Sequence, residues 1–156
     1  MHLLSREEAG LRCLLRVAAH EGAGPLPIGE IARAEGLSPE YTAKLMRRLR
    51  IGGLVSSRRG ATGGYQLCRP AAKTSVWEAL QVLDDSFLPA DDCSCAREAA
   101  ARGDCTRTSQ CAIQSLWRSV GTQVREVLER TTLAQLAGSA VEVRFDLPVV
   151  GSAVAG

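Results

Sequence analysis

Four cysteines, Cys93, Cys95, Cys105 and Cys111, fall within nineteen residues of a 156-residue chain, amid Ser, Thr, Gly, Asp and Arg. A buried structural cysteine normally sits in an apolar run, so this setting points to ligands or redox groups. Thiolates bind soft metals, and four sulfurs on a glycine-containing loop suit zinc or an iron–sulfur centre. The spacing is not that of a common zinc finger. Nearby Arg97, Arg102 and Arg107 would offset the negative charge of a thiolate-ligated centre. Reversible disulfide formation is the metal-free alternative, and unreactive surface thiols the plain one. The other two cysteines differ: Cys13, beside Leu14 and Leu15, and Cys68, at a strand end, read as small hydrophobes.

The rest of the chain offers little for catalysis. It has no Cys-x-x-Cys redox motif, no nucleotide-binding glycine loop and no acid–base constellation, and His2 and His20 stand alone, so an enzyme or a small electron carrier is disfavoured. The first residues carry Glu7 and Glu8 where a signal peptide needs basic and then apolar residues, and no stretch reaches membrane-spanning length. A cytoplasmic location is expected, where cysteines stay mostly reduced.

The elements that must position the thiols can be read from caps and periodicity. With 46% hydrophobic residues the chain can bury a core. Ser5 and Glu8 form a capping box for a first helix to about His20, with Leu11, Leu14, Leu15 and Ala18 on its apolar face. A short helix carrying Ile28, Ile31 and Ala32 stops at Gly36. Ser38 as N-cap and Pro39 at the first position open the next, which runs to about Ile51 with Leu45, Met46 and Leu49 inward. Two short helices joined by a glycine turn describe a helix-turn-helix. Strands over Leu54–Ser57 and Tyr65–Cys68 flank a basic, glycine-rich turn and form a hairpin wing.

Ser75 and Glu78 cap a helix to about Leu83, and a Pro-containing linker spans Phe87 to Asp92. From Gln110 to Arg130, apolar residues including Leu116, Trp117, Val120 and Val124 keep a helical period, so one long helix follows the thiols. Its stripe suits burial against a second copy, and Thr131-Thr132 cap a final turn. The expected fold is mainly α with a small β-hairpin wing: a winged helix-turn-helix with a long C-terminal dimerisation helix. Residues 1–86 form the DNA-binding head, 87–112 the cysteine loop and 113–137 the dimerisation helix and cap; 138–156 form a tail with the strand-like Val141–Phe145.

Charge is distributed to match. The net charge is only +2, yet between Ser38 and Arg69 seven basic residues stand against one acid, Glu40. A local field of this sign attracts phosphate. The helix from Ser38 is expected to enter the major groove with Tyr41, Thr42, Lys44, Arg47 and Arg48. The wing residues Arg58, Arg59, Gly60, Thr62, Gly63, Gly64 and Tyr65 are expected beside the minor groove.

Ile28-Gly29-Glu30-Ile31-Ala32, Leu45-Met46-Arg47-Arg48-Leu49-Arg50, Gly53-Leu54-Val55-Ser56-Ser57, Arg59-Gly60, Gly63-Gly64-Tyr65 and Cys111 with Leu116-Trp117 resemble the Rrf2 family of bacterial transcription regulators over roughly residues 1 to 137. The resemblance implies a homodimer on double-stranded DNA with a palindromic operator, repressing in some members, and in many a [4Fe–4S] or [2Fe–2S] cluster near the base of the long helix. The family pattern is three cysteines, each separated by five residues, then a histidine. Cys105 and Cys111 match its last two; the first interval is longer here, ending at Cys93 or Cys95, and Gln114 stands where the histidine would be. The resemblance therefore implies an all-thiolate set of Cys93, Cys95, Cys105 and Cys111, or three thiolates with Glu8 as fourth ligand. A cluster-free relative using thiol oxidation, zinc or a protein partner is the alternative. Loss or oxidation of a cluster is expected to reorder the loop and shift the separation of the two reading heads.

Overall fold

The computed structural model describes residues 5–60, 62–84 and 112–138. The four clustered cysteines, the 87–92 linker and the strand-like 141–145 stretch lie outside the described residues, as does the Ser5 side chain of the expected first capping box. The elements are α1 (Ser5–Ala19), α2 (Ile28–Glu35), α3 (Pro39–Ile51), β1 (Val55–Arg58), β2 (Gly64–Leu67), a 3-10 turn (Ala71–Lys73), α4 (Val76–Leu83), α5 (Ala112–Arg130) and α6 (Leu133–Ala137).

Helix α1 is the hub, packing on α2, α3, α4, β2 and α6. Its inward face carries Cys13, Leu14, Val17 and Ala18, and these meet Ile31, Leu45, Met46, Leu49, Leu83 and Leu133 in one apolar cluster. Each fully buried Leu, Ile or Met there contributes about 1.5–3 kcal/mol of apolar transfer. Gly10 lets α4 approach α1, because a Cβ at that position would collide with the Leu83 side chain.

Both helices of the helix-turn-helix end in the same way. Gly36 (φ 66°) follows α2, with Leu37 N–H donating to Ala32 O (3.0 Å). Gly53 (φ 73°) follows α3, with Leu54 N–H donating to Leu49 O (3.0 Å) and Gly53 N–H to Arg50 O (3.1 Å). This left-handed closure satisfies the last carbonyls and turns the chain sharply, a conformation open chiefly to glycine. Because Leu54 completes the end of α3, β1 begins one residue later than expected. Arg58 therefore pairs with Gly64 inside the antiparallel ladder instead of lying in the turn.

The outer edge of the wing's return strand is held by Leu26, which exchanges two backbone bonds of 2.8 Å with Tyr65. Helices α4 and α6 each start with a capping box, Ser75 with Glu78 and Thr132 with Gln135. The two N-caps face each other: Val76 N–H donates to Thr131 O (2.8 Å) and Leu133 N–H to Thr74 O (2.9 Å). This joint anchors the end of α5 to the head, and Arg125 lies 5.2 Å from the centre of the Trp77 ring of α4.

Candidate nucleic-acid interface

The reading helix is built by its cap. Ser38 Oγ accepts from Tyr41 N–H (3.2 Å), and Pro39 takes the first helical position. With Leu45, Met46 and Leu49 inward, helical phase leaves Lys44, Arg47 and Arg50 exposed and Tyr41 and Arg48 half-buried. Thr42 departs from its expected role: it is 0% exposed and its hydroxyl donates to Ser38 O (3.0 Å). It shares the inward face with Leu45, Met46 and Leu49, so it secures the first turn and cannot reach a groove. Arg50, left out of the expected contacts, lies three residues after Arg47 on the same exposed face; that spacing was the signal available for it.

In the wing, Arg58, Arg59, Gly60 and Thr62 are exposed. Gly60 adopts φ 112°, which L side chains rarely take. Gly63 and Gly64 have internal reasons to be glycine. A Cβ on Gly63 would strike the carbonyl of Arg58, and one on Gly64 would strike the backbone of Leu26. Tyr65 is half-buried and packs on the core. These three build the wing, and the two arginines and Thr62 form its outward surface.

The electrostatics separate two kinds of arginine. Arg6, Arg12, Arg16, Arg69 and Arg125 each meet a carboxylate within 4 Å. Lys44, Arg47, Arg48, Arg50, Arg58 and Arg59 have no ion-pair partner among the described residues. Arg69 thus leaves the basic stretch to which its sequence position assigns it, its Nη2 bonding Glu78 at 3.1 Å. Arg12 and Arg16 each donate through Nε to buried Glu35 at 2.8 Å. That pairing ties α2 to α1 and offsets an acid placed unfavourably at a helix C-terminus.

On α1, helical phase divides two adjacent acids. Glu8, the alternative metal ligand, is exposed, whereas Glu7 is 1% exposed and shares the inward face of Gly10, Leu14 and Val17. Glu7 Oε1 accepts from Arg6 Nη2 (3.2 Å), and Oε2 makes no hydrogen bond. Its burial was legible in its spacing from Leu14 and Val17. Among the described residues no group of three or more His, Cys, Asp or Glu side chains could hold a metal ion. Cys13 is fully buried; burial first, and the Glu35 carboxylate second, push its thiol up to about 11. Cys68 is exposed, contrary to its reading as a small hydrophobe, because its strand end lies beyond the cover of the core.

The geometry is that of a winged helix-turn-helix with an unpaired cationic face. The Rrf2 family model, described as iron-dependent transcriptional regulator, matches residues 3–139. The chain belongs to the Rrf2 family. Among its relatives, the HTH-type transcriptional regulator IscR of Escherichia coli (strain K12 / DH10B) is 33% identical over 139 residues, covering 89% of this chain and 82% of the relative. CymR of B. subtilis, described as the global cysteine regulator, superposes with a TM-score of 0.73 at 29% identity over 88% of this chain and 97% of that one. The structure of T. potens IscR gives 0.71 at 28% identity, covering 95% and 94%. The oxidized form of Staphylococcus aureus CymR gives 0.69 at 30%, covering 90% and 99%. This Rrf2 chain is accordingly a DNA-binding transcription regulator and not an enzyme. No described helix is long and apolar enough to cross a membrane.

Proposed function

We propose that this Rrf2 protein is a cytoplasmic homodimer whose affinity for a palindromic operator is controlled by an iron–sulfur cluster on Cys93, Cys95, Cys105 and Cys111. The observation that carries the DNA half of this reading is the set of six cations on α3 and the wing, none with a carboxylate partner among the described residues. Unpaired cations are available to displace counterions from phosphate. In this reading Ser38, Tyr41, Lys44, Arg47 and Arg48 meet the major groove. Arg58, Arg59, Gly60 and Thr62 lie along the adjacent backbone and minor groove, on the frame made by Gly63, Gly64 and Tyr65.

The dimer is supported by the outer half of α5, where Leu116, Trp117 and Val120 are 59%, 60% and 41% exposed. A contiguous apolar patch of this kind calls for a cover, and a second copy of the same helix supplies one by two-fold symmetry.

For the cluster the support is chemical. Four soft thiolates within nineteen residues fit [4Fe–4S] or [2Fe–2S], and the family description names iron. When bound, the cluster supplies an iron centre responsive to redox state, nitric oxide or iron supply. The chain's own part is to hold it with the thiolates, with Glu8 as the alternative fourth ligand, and to lead from that loop directly into α5. A cluster-free regulator is favoured by a different observation: a structural neighbour is an oxidized form of S. aureus CymR, and Gln114 replaces the family histidine. In that reading, oxidation of Cys93, Cys95, Cys105 and Cys111 is the signal.

Native mass spectrometry of protein purified without oxygen tests both parts. A dimer carrying iron and inorganic sulfide is expected, and its operator affinity should change on cluster loss. A metal-free or zinc-only dimer surviving reconstitution would replace the cluster reading with thiol or zinc sensing.

A further inference from the structure

Glu78 makes more bonds than a capping residue needs. Its Oε2 accepts from Ser75 N–H (3.1 Å), closing the capping box, while Oε1 accepts from Arg69 Nη2 (3.1 Å). Burial acts to raise its pKa. The Ser75 N–H bond, the Arg69 guanidinium and the Ser75 hydroxyl outweigh that and hold the carboxyl below its ordinary value.

Its two partners belong to different parts of the molecule. Ser75 is one half of the joint at which Thr131–Leu133, the short connection from α5 into α6, is hydrogen-bonded to the head through Thr74 and Val76. Arg69 lies two residues after β2, where the wing's return strand leaves the hairpin. The hairpin's other anchor, Leu26 on Tyr65, holds it to the helix-turn-helix. The wing is therefore fastened on one side to the reading unit and on the other to the root of the long helix.

We propose that Glu78 is a positioning residue for the wing, fixing its return strand through Arg69 to the joint between the head and the long helix. The inference rests on the reading of the wing as a DNA contact. An exposed ion pair contributes little to stability, so the effect expected of this one is on geometry. The root of α5 then sets where Arg58 and Arg59 lie relative to α3.

The sign of one substitution tests this. Glu78→Gln keeps an acceptor for Ser75 N–H, and Gln is an accepted third residue of a capping box, so the helix start survives. Removing a negative charge beside a DNA-binding face should tighten binding if only electrostatics matter, and should free Arg69 for phosphate. Positioning requires the opposite. The expected result for the full chain is a loss of about three- to five-fold in affinity, with the salt slope of the wild type. The probe is a duplex recovered by in vitro selection against the wild-type protein.

Arg69→Gln, which leaves the cap untouched, should weaken binding similarly with an unchanged salt slope, and the double variant should be no worse than either single one. Arg69→Lys should restore most of the affinity. Tighter binding with a steeper slope for Glu78→Gln, a slope reduced by about one for Arg69→Gln, or affinities equal to wild type would each overturn the proposal. Arg59→Ala separates the levels: if its salt slope falls while Glu78→Gln binds as wild type, the positioning role alone fails. An unchanged slope for Arg59→Ala removes the wing contact itself.

Discussion

The head and the outer half of α5 use the same residue types to opposite ends. In the head, Leu14, Ile31, Met46, Leu49 and Leu83 close on one another, and a single chain satisfies them. Along α5, whose 19 residues extend about 28 Å, Val124, Val127 and Leu128 lean toward the head while Leu116, Trp117 and Val120 face outward. One region is closed within the chain and the other leaves its apolar residues exposed, so under the proposed dimer stability and assembly should be separable by substitution.

The largest effect should come from the closed region. Leu49→Ala removes a fully buried side chain and is expected to cost about 2–5 kcal/mol, read by chemical denaturation. A loss below 1 kcal/mol would mean that the head is not closed in this way. The corresponding change outside, Leu116→Asp, should leave head stability nearly intact but weaken the dimer about tenfold or more by placing a charge in its apolar seam. Sedimentation equilibrium decides this, and an unchanged dimer would show that α5 is covered by something else.

Next in size is Arg59→Ala, which sharpens the comparison by acting on neither region's packing. Operator affinity should fall several-fold and the salt slope by about one, with fold and dimer unaltered. The smallest effect concerns the thiols of the head. Cys13, with its pKa pushed from 9.0 to about 11, should resist alkylation at pH 8 whether or not Leu116→Asp splits the dimer, while exposed Cys68 reacts. Because the folded pKa is the higher one, this thiol leaves stability unchanged below about pH 9 and lowers it as the pH rises from 9.0 towards 11. Rapid labelling of Cys13 in the variant alone would show that the head depends on the outer half of α5 after all.

Much of the fold was legible because its punctuation is local. Ser38 with Pro39, the glycines after α2 and α3, and the boxes Ser75–Glu78 and Thr132–Gln135 all act over three to five residues, and the structure places helix ends at them. The candidate site was legible in outline only. Lys44, Arg47 and Arg59 follow from helical phase and hairpin position. By contrast, Thr42 and Arg69 carry the right chemistry in the right stretch and are nevertheless committed elsewhere.

Local spacing and composition in the sequence by itself determined the order of elements, the basic stretch from Ser38 and the clustering of four thiols. Only the tertiary structure decided which charges remain free. Glu35 meets Arg12 and Arg16 across separations of 23 and 19 residues, Glu21 caps Ala71 N–H across 50, and Glu78 pairs with Arg69 across 9. A side chain's availability depends on which distant backbone folds beside it, and a three- or four-residue spacing carries no information about that.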